Sequence, residues 1–190
     1  MPRVRIVLGF IAATAGATGC AMRIAPPANP RDPVTVYIAD YGYHASLLLP
    51  DEPGVFQEWA YGWWEWFALN RNRWHDALTL LLFPGRGALG QRTLPTADDG
   101  TPLLPPVERR LALRVEREKA AALLARLRAE YAAEVATEVY NDQLDLHLVH
   151  SRDPYWMGYN CNGAIAAWLE RLGCRVGLAR QVAVFEIVTP

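Results

Sequence analysis

Tyr159-Asn160-Cys161-Asn162-Gly163-Ala164-Ile165-Ala166-Ala167-Trp168-Leu169-Glu170-Arg171-Leu172-Gly173 spells out a helix that begins abruptly at a cysteine. Ile165, Trp168, Leu169 and Leu172 recur at helical spacing and give one apolar face. Asn160 stands where a cap belongs, and Gly173 supplies the left-handed stop after Leu172. Cys161 therefore falls in the first turn, where unpaired backbone N–H groups and the positive dipole end favour an anion. Such a place lowers a thiol pKa toward the thiolate, the form that attacks carbonyls. Inert packing is the competing expectation, since cysteine is among the most buried residue types.

Working outward toward the amino terminus, Arg3 and Arg5 precede an apolar run from Ile6 to Ala17, too short for a membrane span. This predicts a signal peptide over 1–20. Its end, Ala17-Thr18-Gly19-Cys20, resembles the bacterial lipobox, with Ala17 where leucine is usual. The resemblance implies that Cys20 is lipidated and becomes the first residue of the exported chain. Ordinary secretion and a retained anchor are the alternatives. Residues 21–33 are proline-rich and read as a tether, which leaves 34–190 as one domain. The 190 residues are 52% apolar, enough for a core, and a net charge of −1 gives no footprint for nucleic acid.

Export raises the question of a disulfide between Cys161 and Cys174. The intervening helix rules against it. Thirteen residues of helix span about 20 Å, and a disulfide needs Cα atoms within about 7 Å. Both thiols are expected to be free.

Val34 to Ala39 is a β-branched strand, turned by Asp40-Tyr41-Gly42. Tyr43 to Leu49 is a second strand, closed by Pro50 and the Asp51-Glu52-Pro53-Gly54 turn. His44 lies near its start, where a lone histidine is commonly a structural residue. Gln57 to Gly62 makes a third strand. The five tryptophans between 59 and 74 either fill gaps in the core or form a platform for sugar rings or lipid chains. Trp74 to Phe83 reads as a helix with an apolar end. Residues 84–106, with four glycines and five prolines, read as a long loop of the kind that serves as a lid. A half-buried strand follows over Arg109 to Val115. Glu116 to Glu134 reads as an amphipathic helix with Ala121, Leu124, Leu127 and Tyr131 on one face. Asp142 to Tyr159 is a polar loop. Its His147 and His150, with Asp142, Asp145 and Asp153, do not match a known metal-ligand spacing, so no metal is expected. Gln181 to Val188 would close the sheet.

A histidine opening an early strand and a cysteine opening a late helix resemble the circularly permuted NlpC-type papain-like fold, shared by lecithin:retinol acyltransferase-like proteins. More closely, the chain resembles a family of uncharacterised, often exported bacterial proteins. That family carries a strand H-x-x-[ILV]-x-L-P, a [YF]-G-W-G-D segment and a late T-C-N-T-W motif. The counterparts here are His44-Ala45-Ser46-Leu47-Leu48-Leu49-Pro50, Tyr61-Gly62-Trp63-Trp64-Glu65 and Asn160-Cys161-Asn162-Gly163-Ala164. Glu65 replaces the usual aspartate, and Gly163-Ala164 replace Thr-Trp. The resemblance implies an α+β fold, an antiparallel sheet packed against helices in the permuted papain-like order.

It also implies a chemistry. Cys161 is the nucleophile and His44 its base, deprotonating the thiol and later protonating a leaving amine or alkoxide. The helix N-terminus, with Asn160 and Asn162, holds the oxyanion. A third polar group should orient the imidazole, either Glu65 by its place in the motif or Glu58 by its place on the neighbouring strand. With the hairpin tip at Asp51 to Pro53, residue 44 pairs with about residue 61, and this leaves both carboxylates in reach. Tyr61, Trp63 and Trp64 are expected beside the substrate. The implied activity is that of a thiol hydrolase or acyltransferase acting on envelope amide or ester bonds, in cell-wall peptide or acyl lipid. It needs no cofactor. Its expected place is the outer membrane, held by a lipid at Cys20 and facing the periplasm. The alternative is a non-catalytic envelope lipoprotein that binds glycan or lipid through its tryptophans.

Overall fold

The computed structural model describes residues 21–42, 44–71, 83–180, 182 and 184–189. The signal peptide expected over 1–20, with Cys20, lies outside them, as does the helix expected over 74–83 except for Phe83. The strands in chain order are β1 (Met22–Ala25), β2 (Pro33–Asp40), β3 (Ala45–Pro50), β4 (Val55–Trp63) and β5 (Gly85–Pro95). β6 (Arg109–Glu116), β7 (Val139–Asn141), β8 (Leu146–Tyr155), β9 (Arg175–Val176) and β10 (Phe185–Ile187) complete them. The helices are α1 (Trp64–Phe67), α2 (Arg117–Ala133) and α3 (Cys161–Arg171).

Seven strands form one antiparallel sheet in the order β6-β2-β3-β4-β5-β8-β7. The fold is α+β, with helices against an antiparallel sheet. Strands β2 and β3 are buried on both faces, which is why they read as nearly unbroken apolar runs rather than alternations. On one face Leu47, Leu49, Trp59, Leu89 and Leu113 join the apolar sides of α2 and α3 in the main core. The other face carries Ala60, Ala88 and Leu148 against Trp64 and Ala68, and Leu48, Phe56 and Leu94 in a separate cluster.

Local rules place α3 where the sequence puts it. The Asn160 side chain accepts a hydrogen bond from Gly163 N–H at 3.0 Å, and Ile165, Trp168, Leu169 and Leu172 are all buried. Gly173 takes φ +87°, with Gly173 N–H donating to Glu170 O and Cys174 N–H to Leu169 O. This is the paired C-terminal closure that a glycine permits. Both Cys161 and Cys174 are free thiols. In α2 the buried residues are Ala120, Leu123, Leu124, Leu127 and Tyr131, so Ala121 faces solvent rather than the core.

Four sequence expectations are corrected. The segment 84–106 is not one loop, because β5 pairs with β4 from Val55↔Pro95 to Trp63↔Gly87. Gly87 in it looks like loop punctuation but marks a close approach. A Cβ on Gly87 would lie 2.3 Å from the Asp153 carbonyl oxygen and 2.6 Å from the Tyr61 hydroxyl. The polar stretch 142–159 contains the whole of β8, whose outward positions are polar because it lies near the sheet edge. The supposed tether begins with β1, where Met22 and Ile24 are fully buried, paired with β10 and β9 in a separate small sheet. The closing strand is confined, within the described residues, to Phe185–Ile187, and it joins that small sheet rather than the large one.

Candidate active site

His44 immediately precedes β3. The turn that delivers it is closed by Tyr41 N–H donating to His44 O at 2.8 Å and Gly42 N–H donating to Asp40 Oδ1 at 2.9 Å. Gly42 sits at φ +83°, in the left-handed region that glycine adopts without strain. The imidazole has two aromatic neighbours. Its centroid lies 4.5 Å from that of Phe67 and 6.4 Å from that of Tyr41, nearly parallel to the latter. Nε2 is buried and has no hydrogen-bond partner among the described residues. Burial pushes the imidazole pKa down to about 4, so the ring is neutral at ordinary pH.

Cys161 opens α3 and is half-buried. The N–H groups of Asn162 and Ala45 and the Tyr155 hydroxyl lie close enough to its sulfur to favour the thiolate. Ala45 is the residue after His44, so the helix start is docked on the first residue of β3. Burial nevertheless dominates and raises the thiol pKa, against the lowering effect of those groups. The helix-terminus expectation of a depressed thiol is therefore corrected: removal from water outweighs the donors. The Tyr155 phenol is also raised by burial first and by Cys161 second, and it remains a donor.

Cys161 and His44 line one cavity of about 460 Å³, together with Tyr155, Trp63, Trp66 and Phe67. A second cavity of about 240 Å³ adjoins it, with His44 and Phe67 again in the wall and Tyr41, Glu58 and Arg92 behind them. The observed register, Ser46↔Ala60, carried two residues along the hairpin, places residue 44 opposite 62 rather than 61. Residues 44, 46, 58 and 92 then share a face, and this decides what Glu58 does. It accepts from Tyr41 OH at 2.7 Å and Ser46 Oγ at 2.5 Å, and from Arg92 Nε at 2.8 Å and Nη2 at 2.5 Å. Its capacity is spent, and no bond reaches His44. Glu65 sits in the first turn of α1 and pairs with Arg71 at 3.0 Å on the surface. Neither carboxylate orients the imidazole in this structure; its nearest ring contact is Phe67.

The other expected residues divide. Trp63 lines the cavity. Tyr61 does not: its hydroxyl donates to Asp153 O at 2.9 Å, and its ring packs between Tyr155 and Tyr159. Trp64 lies on the face of His44 but outside the cavity wall, packed with Ala60 and Ala88 and with its ring 4.2 Å from that of His150. Asn160 is the helix cap, and Asn162 contributes its backbone N–H to the sulfur. Tyr155, Trp66 and Phe67 escaped the sequence. Alternation through Leu146 and Leu148 could have revealed β8, which carries Tyr155 to the same sheet end as His44. His147 lies 3.3 Å from Glu138 and His150 against Arg86, and no group of three His, Cys, Asp or Glu suited to a metal occurs among the described residues.

The buried neutral imidazole couples folding to pH. The unfolded chain takes up a proton near 6.5 and the folded chain only near 4, so stability falls as pH drops through that window. At about 1.4 kcal/mol per pH unit the loss reaches about 3 kcal/mol. Urea unfolding at pH 7 and near pH 4 should show this loss in the wild type and a smaller one in His44→Leu. Equal losses in both would sink the assignment.

Comparison with protein-family models, curated proteins and solved structures found no match for this chain.

Proposed function

We propose that this chain is a thiol hydrolase or acyltransferase of permuted papain-like arrangement, tethered to the envelope and acting on amide or ester bonds of cell-wall peptide or acyl lipid. The observation that carries this reading is the docking of Cys161, first residue of α3, onto Ala45 N–H beside His44, at a shared cavity. A structural cysteine and a structural histidine have no reason to share a cavity wall across 117 residues of sequence.

The step balances within the site. Neutral His44 takes the thiol proton as Sγ forms a bond to the substrate carbonyl carbon. The oxygen that becomes negative is held by donors now directed at the sulfur, among them the N–H groups of Ala45 and Asn162 and the Tyr155 hydroxyl. Collapse breaks the C–N or C–O bond, and the proton on His44 goes to the leaving group. A thioester remains on Cys161. Water or an acceptor hydroxyl then releases it, with His44 again as base.

The raised thiol and the lack of a carboxylate on His44 favour a second reading, a non-catalytic binding protein with a tryptophan-lined cavity. One experiment separates the two. Incubation of the full-length protein with a p-nitrophenyl acyl ester, followed by peptide mass spectrometry, should place the acyl group on Cys161. Hydrolysis of the ester with no adduct on Cys161, or no reaction above a Cys161→Ala control, would favour the binding protein.

A further inference from the structure

We infer that the cavity end of the sheet is a membrane-docking surface, on which an aromatic rim rests the mouth of the Cys161 cavity against a phospholipid bilayer. The antiparallel pairing gathers one set of strand termini at this end. β3 starts there at Ala45, β4 finishes at Trp63, β5 starts at Gly85 and β8 finishes at Tyr155. The segments that extend beyond those termini carry large apolar side chains left in solvent: Trp66 at 36%, Phe83 at 64%, Trp156 at 46% and Met157 at 59%. Trp66 packs on Trp63 with ring centroids 5.3 Å apart, and Trp63 and Trp66 both line the cavity.

What covers this rim is argued from where the chain emerges. Met22 N–H donates to Val184 O, and Met22 pairs with Phe185. The Phe185 carbonyl accepts from Arg109 Nη1 at 3.4 Å, and Arg109 holds Asp40, the last residue of β2, at 2.6 Å. Asp40 leads through the Tyr41–Gly42 turn to His44. Residue 21 therefore leaves the fold at the same end of the sheet as the cavity. Preceding it in sequence are the apolar run Ile6 to Ala17 and Cys20. With that run retained or Cys20 carrying a lipid, the hydrophobic attachment pulls this end, not the opposite one, toward the bilayer; after ordinary secretion only the rim itself is left to hold it there. No helix among the described residues is long and apolar enough to cross it.

The rim chemistry suits lipid. Phe83 and Met157 present no polar side-chain atom to a sugar, whereas exposed tryptophans partition into the headgroup boundary. Docking of this kind is independent of whether Cys161 reacts.

Tryptophan emission tests it on the full-length protein incorporated into vesicles of phosphatidylethanolamine and phosphatidylglycerol with brominated acyl chains. Bromine quenches only indoles that reach the acyl region. Wild-type emission should be quenched relative to unbrominated vesicles, and Trp66→Phe with Trp156→Phe should lose most of that quenching. Phe83→Asp with Met157→Asp, which keeps every tryptophan and alters only exposed positions, should lose it too while the protein remains vesicle-bound. Unquenched wild type, or quenching unchanged in the aspartate variant, would overturn the inference. An emission shift with soluble peptidoglycan fragments but none with vesicles would identify a sugar platform and also overturn it.

Discussion

His44→Gln is expected to slow acylation of Cys161 by about 10²–10⁴, the range lost with a general base. The wild-type rate should also hold down to unusually acid pH. In the proposed mechanism the base is the neutral imidazole, and its pKa is pushed by burial from 6.5 to about 4. Protonation therefore removes the base only as pH falls through about 4, and that is where the acid limb belongs. At higher pH the two proteins should converge. His44→Gln can react only through thiolate formed without help, and burial holds that ionisation above the ordinary thiol range. Its rate should rise steadily into alkaline solution, where the wild type is already level. Ester acylation followed by p-nitrophenolate release across pH gives both curves. A wild-type acid limb at the ordinary histidine value, or a His44→Gln curve that overlays the wild type, would remove His44 from the mechanism.

Arg92→Ala is expected to cost about 3–5 kcal/mol of folding stability, the penalty for stranding a buried charge. Arg92 and Glu58 are 9% and 1% exposed at the side chain, and their fork of two hydrogen bonds is the main counter-charge in that part of the sheet. Without it the Glu58 carboxylate keeps only the hydroxyl donors of Ser46 and Tyr41. Adding Glu58→Gln to Arg92→Ala should recover part of the loss, because the stranded charge is gone. Urea unfolding at neutral pH measures the three proteins. A cost below about 1 kcal/mol for Arg92→Ala, as for a surface ion pair, would contradict the buried placement. The consequence reaches the site: Tyr41, which bonds both Glu58 and Arg92, is one of the two aromatic neighbours of His44. Loosened packing there should broaden the His44 titration even where the fold survives.

Much of the frame was legible from residues close together in sequence. The cap at Asn160, the stop at Gly173 and the buried stripe of α3 need only neighbours within a turn or two. The same holds for the β-branched run of β2 and for the Cys161–Cys174 separation that forbids a disulfide. Order along the chain also placed a histidine strand early and a cysteine helix late.

What failed depended on partners far away. Gly87 of β5 reads as a loop residue because the backbone of Asp153 and the hydroxyl of Tyr61, which need that space, are remote in sequence. Strand β8 was hidden because a position near a sheet edge tolerates polar residues on its outer side. Met22 to Ala25 looked like a tether because only β9 and β10, from the other end of the chain, make it a strand. Glu58 and Glu65 could not be told apart by motif or distance along the hairpin. The register put Glu58 opposite Arg92, and Arg71 took Glu65 to the surface. The ionisation of the pair was out of reach for the same reason. A helix start lowers a thiol pKa, and that much is local. Whether burial reverses it depends on how much water the assembled sheet, Tyr155 and Phe67 exclude. Periodicity and capping are set by neighbours within a few residues, so the sequence alone determined α2, α3 and the β2–β4 run but not β1, β5 or β8. Register, desolvation and the choice of ion-pair partner sum over residues that meet only after folding, so the tertiary structure alone decided the site.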